Sequence, residues 1–156
     1  MQGSASRPGH TALREGLVFG VTLGIIASTG NLLQNFVVSD ILGNIIGVMF
    51  LIVTIALNLL AGVRASQRTG RVGTGALAGL IVELISFLLG TILTLTKIFV
   101  FDTLLHRLFS HTTPGLVLQF ITAYIFGFVV FLLLGAVIGA IGGLIGRKRA
   151  QLPLQV

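Results

Sequence analysis

Apolar residues fall into four long runs, parted by short polar or basic stretches. The first, Gly16 to Val38, is 23 residues without a formal charge. The second, Ile41 to Val63, has Asn44 and Asn58 as its polar interruptions. Ala76 to Phe101 forms the third and Leu116 to Gly146 the fourth. At about 1.5 Å per helical residue, each run is long enough to cross a hydrocarbon core of about 30 Å. The fourth, at 31 residues, exceeds that core and is expected to tilt, kink or protrude. The pattern predicts an all-α integral membrane four-helix bundle over residues 16–149.

The stretches between the runs complete the outline. Residues 1–15 are small, polar and basic, the composition of a flexible tail, and residues 150–156 form a second tail. A basic start before an apolar run also suits a signal peptide cleaved near Ala27-Ser28-Thr29, but the spacing of small residues favours a retained helix. Ser28 to Asn31 is a candidate kink, and the amphipathic stretch Asn31 to Leu42 fits either a span or a surface-lying segment. Arg64 to Thr74 reads as a hydrophilic loop. Within the connector Asp102 to Gly115, Leu104, Leu105, Leu108 and Phe109 share one face at helical spacing. That predicts a short interfacial helix over residues 102–111.

Composition supports lipid as the solvent. Hydrophobic residues make up 54% of the chain and charged residues 9%, too few to cover a water-facing surface. The mean hydropathy is +1.06. With no cysteine, disulfides, thiolate metal sites and cysteine nucleophiles are excluded. The net charge of +6 does not indicate nucleic-acid binding, because the cations cluster at the ends of apolar runs. With the amino end inside, Arg7, Arg14, Arg64, Arg68, Arg71, Arg147, Lys148 and Arg149 share one side, against Lys97 and Arg107 on the other. The positive-inside rule then puts both termini in the cytoplasm, and the expected location is the inner (plasma) membrane.

Small residues recur every four positions: Gly16, Gly20, Gly24 and Ser28, then Gly43 and Gly47, Gly75 and Gly79, and Gly135, Gly139 and Gly143. Residues four apart share a helix face. Lipid supplies no hydrophobic drive to pair helices, so close backbone approach does that work. The ladders predict packing inside the bundle. A ladder facing outward would make a homo-oligomer or dock a subunit of a larger complex.

Glu83 continues the ladder of Gly75 and Gly79 by four residues, so it is expected to face the bundle interior. A carboxylate at that depth costs several kcal/mol if it is ionised and unpartnered. It reads as an ion or proton site, a hydrogen-bonded tie between helices, or a contact with a partner subunit. Asn58, Thr22 and Ser28 are its candidate neighbours, whereas Lys97 lies about 21 Å away along the same helix. Arg64, Arg68 and Arg71, with Arg147, Lys148 and Arg149, form a basic rim that fixes topology and offers an anionic-phospholipid site. His10, His106 and His111 lie outside the runs, so no metal or haem site is expected, and no cofactor. No Ser-His-Asp set or carboxylate pair appears, and the chain reads as non-enzymatic.

Ala61-Gly62, the arginine-rich stretch Arg64 to Arg71, and Gly70, Gly73, Gly75 and Gly79 give a layout that resembles small glycine-rich four-span bacterial membrane proteins of unknown function. The resemblance covers about the middle third of the chain and implies no activity and no site residues. The sequence therefore points to a membrane protein that packs or assembles, as an accessory subunit or a self-associating module. A small oligomeric ion- or proton-coupled channel or transporter using Glu83 is the second reading, and a lipid-binding module the third.

Overall fold

A computed structural model describes residues 8–36, 40–100 and 114–150. All of these except Gly70 and Arg71 are helical, in α1 (Pro8–Phe36), α2 (Asp40–Thr69), α3 (Val72–Val100) and α4 (Pro114–Ala150). Each helix contains a segment long and apolar enough to cross a membrane, and the chain is a multi-pass membrane protein. The connector with the expected interfacial helix 102–111 lies outside the described residues, as do residues 1–7 and 151–156.

Two boundaries differ from the hydropathy reading. First, α1 begins at Pro8, so residues 8–15 are not a flexible tail. Proline suits a first helical position, where its missing N–H has no intrahelical partner to lose. Thr11, Ala12 and Glu15 are buried on the same side as Phe19 and Leu23, so packing holds this extra length. Second, α2 runs on to Thr69, and Arg64 and Arg68 sit on its last turns, not in a loop. Gly70 ends the helix at φ +68°, a left-handed conformation that strains other residues. Its N–H donates to the Ser66 carbonyl at 2.8 Å. The Ser66 hydroxyl donates to the Arg71 carbonyl at 2.9 Å, closing the turn into α3.

Near the other end, α1 stays helical through Phe36. Ser28 and Thr29 donate to the carbonyls of Gly24 and Ile25 at 2.7 and 2.9 Å, so their polarity is satisfied within the helix.

Helices α1 and α3 run parallel, with α2 and α4 antiparallel to them; α2 and α3 each touch all the others, while α1 and α4 do not meet among the described residues. Glycines set the spacing. On the α1–α3 seam, a Cβ on Gly16, Gly20 or Gly24 would come within 2.6, 2.9 and 2.8 Å of Ile81, Ile85 and Leu89. On the α3–α4 seam the backbones themselves touch. A Cβ on Gly75 would lie 2.7 Å from the Gly139 carbonyl oxygen and 2.8 Å from Gly143 Cα. One on Gly79 would overlap the Gly135 carbonyl. Gly62, Gly142 and Gly146 do the same between α2 and α4. Gly43 and Gly47, expected to pack, meet nothing within 4 Å among the described residues. The reason is local: no residue of α2 from Ile41 to Leu57 is fully buried.

Candidate functional site

The polar centre of the bundle is a pair, Asn58 on α2 and Glu83 on α3, both buried. Asn58 lies eleven residues before the end of α2 and Glu83 eleven after the start of α3. Both are thus about 16 Å along the axis from the same end of the bundle. The Asn58 amide donates to Glu83 Oε1 at 2.6 Å and to the Thr54 carbonyl at 3.0 Å. Asn58 Oδ1 is buried with no hydrogen-bond partner among the described residues. From α4, Gly135 completes the site, because a Cβ there would overlap Glu83 Cγ. One carboxylate therefore joins three helices, and the absence of a side chain at position 135 makes its room.

Of the three neighbours the sequence offered to Glu83, the fold selects Asn58. Thr22 is exposed and donates to the Val18 carbonyl at 2.8 Å, and Ser28 is spent on Gly24. Farther along α3, Ser86 and Gly90 are half-buried and Thr94 is exposed.

A second polar cluster lies at the end of the bundle where α1 and α3 begin and α2 and α4 finish. Glu15 is buried and forms an ion pair with Arg68, whose own side chain is half exposed. One turn away, the Arg64 guanidinium stands 5.3 Å from the centroid of the Phe19 ring, a cation–π contact. Arg64 and Arg68, read as lipid-facing, thus also have partners within the chain. Arg71, Arg147, Lys148 and Arg149 are exposed at the same end. Glu15 sits in the polar stretch directly before the first apolar run, so hydropathy alone does not mark it as interior. Its signal was the 15, 19, 23 spacing, which carries the buried face of α1 back past Gly16.

Among the described residues there is no cluster of three His, Cys, Asp or Glu able to hold a metal ion. No protein-family model, curated protein or solved structure matches the chain.

Proposed function

We propose that this chain is a non-enzymatic, multi-pass component of a membrane assembly, either self-associating or an accessory subunit. The observation that carries this reading is the unused packing capacity of the distal half. Gly43, Gly47, Gly90 and Gly127 sit within apolar helices, yet a Cβ on any of them would meet nothing within 4 Å among the described residues. In the opposite half, Gly62, Gly75, Gly79, Gly139 and Gly142 are used for backbone contact. Lipid does not require glycine, whereas a second helix approaching closely does. The orientation follows the charge. The basic end faces the cytoplasm of a plasma membrane, where Arg71, Arg147, Lys148 and Arg149 rest on anionic headgroups.

Native mass spectrometry from mild detergent tests the reading. The expected spectrum contains a defined homo-oligomer or a foreign subunit in fixed ratio, and Gly47→Leu diminishes that species. A monomer alone, in both detergent and nanodiscs, removes the proposal.

A further inference from the structure

Donors and acceptors do not balance at Glu83 and Asn58. An asparagine amide has two N–H groups, and Asn58 directs its donors to the Thr54 carbonyl and the Glu83 carboxylate. That leaves Asn58 Oδ1 buried without a donor among the described residues. The negative charge on an ionised Glu83 faces a single neutral amide. Charged groups on the surrounding elements lie elsewhere. On α1, Glu15 is taken by Arg68, and Arg14 is exposed beside it. On α2, Arg64 is engaged with the Phe19 ring. The nearest cation of α4 in sequence is Arg147, about 18 Å along the axis from Gly135, and Lys97 of α3 is about 21 Å from Glu83.

Both deficits are of one chemical kind. One amide oxygen holds electron pairs that no described group accepts, and the carboxylate, when ionised, has no counter-charge among the described residues. We infer that Glu83 and Asn58 form a site for one monovalent cation, either a proton on the carboxyl or an alkali ion between carboxylate and amide oxygens. The span permits it. Amide bond lengths place Oδ1 within about 5 Å of Glu83 Oε1, near enough for one cation to draw on both oxygens once the amide turns. A carboxyl proton, in turn, is the donor that Oδ1 lacks. Gly135 is a positioning residue, because any side chain there displaces the Glu83 stem.

The test uses the full chain in lipid nanodiscs, with two readouts. Infrared spectra at pH 7 with deuterium exchange detect a protonated carboxyl. Melting in NaCl, KCl or choline chloride at equal ionic strength detects an alkali ion. If the cation is a proton, wild type shows one protonated-carboxyl band that Glu83→Gln removes and Asn58→Leu shifts. If it is an alkali ion, the melting temperature is higher in NaCl or KCl than in choline chloride, and both variants lose the difference. Wild type showing neither response overturns the site, whatever the variants do. A band or cation effect that survives unchanged in Glu83→Gln overturns it too. Should Glu83→Gln fail to fold, Asn58→Leu decides, since it keeps the carboxylate and removes only the amide.

Discussion

The two halves of this bundle are built from the same apolar alphabet, and the seams of α4 pack differently in each. At the basic end, α3 and α4 meet glycine against glycine, and α2 meets α4 through Gly62, Gly142 and Gly146. Among the residues of α2, α3 and α4 whose burial is described, the fully buried ones fall in the stretches 58–66, 74–83 and 135–146. Toward the other end, the α3–α4 contact passes to rings. The Phe87 ring packs at a tilt against Tyr124 and Phe128, with centroids 4.9 and 4.2 Å apart. Aromatic side chains hold the axes farther apart than glycine does, so more of each helix faces outward. Phe126 is 70% exposed there, whereas Val82 is wholly buried at the basic end. The difference shows that length and hydropathy qualify a helix to span, while the placement of its smallest residues decides how tightly it packs.

The comparison breaks most readily at its tight end. Gly79→Leu forces a side chain into the Gly135 backbone and should cost at least about 1–3 kcal/mol, seen as a lowered melting temperature in detergent. Asn58→Leu comes next. It strips the buried Glu83 carboxylate of its donor and should cost about 1–3 kcal/mol by the same measurement. Arg68→Ala should cost about 1 kcal/mol, because Glu15 is buried while Arg68 remains half in solvent. Combining it with Glu15→Gln should cost less than the two single changes added, the signature of direct coupling. The smallest effect belongs to the open half. Gly47→Ala meets no neighbour among the described residues and gains helix propensity, so the melting temperature should hold or rise by the equivalent of at most about 1 kcal/mol. A marked loss there, in a monomer, would erase the distinction between the halves.

Much of this was legible in one dimension. The four spans follow from run length, because a bilayer leaves helices few other ways to satisfy their backbones. The inward direction of Glu83 follows from its place four residues beyond Gly79. The start of α1 was harder, because Arg14 and Glu15 interrupt the hydropathy that marked the other spans. Once Arg68 neutralises Glu15, the interruption ceases to be a boundary, and that pairing joins residues 53 apart in the chain.

Periodicity and composition determined by themselves that this chain is helical, membrane-embedded and four times spanning, since these depend only on distances along one helix and on transfer from water. Which glycines touch, that Asn58 and not Thr22 or Ser28 meets Glu83, and that Gly43 and Gly47 meet nothing among the described residues were decided by tertiary structure. A ladder of small residues marks a face but not its partner, and four helices with similar faces can dock in several registers. Only the simultaneous fit of all the seams, glycine backbone to glycine backbone, selects one.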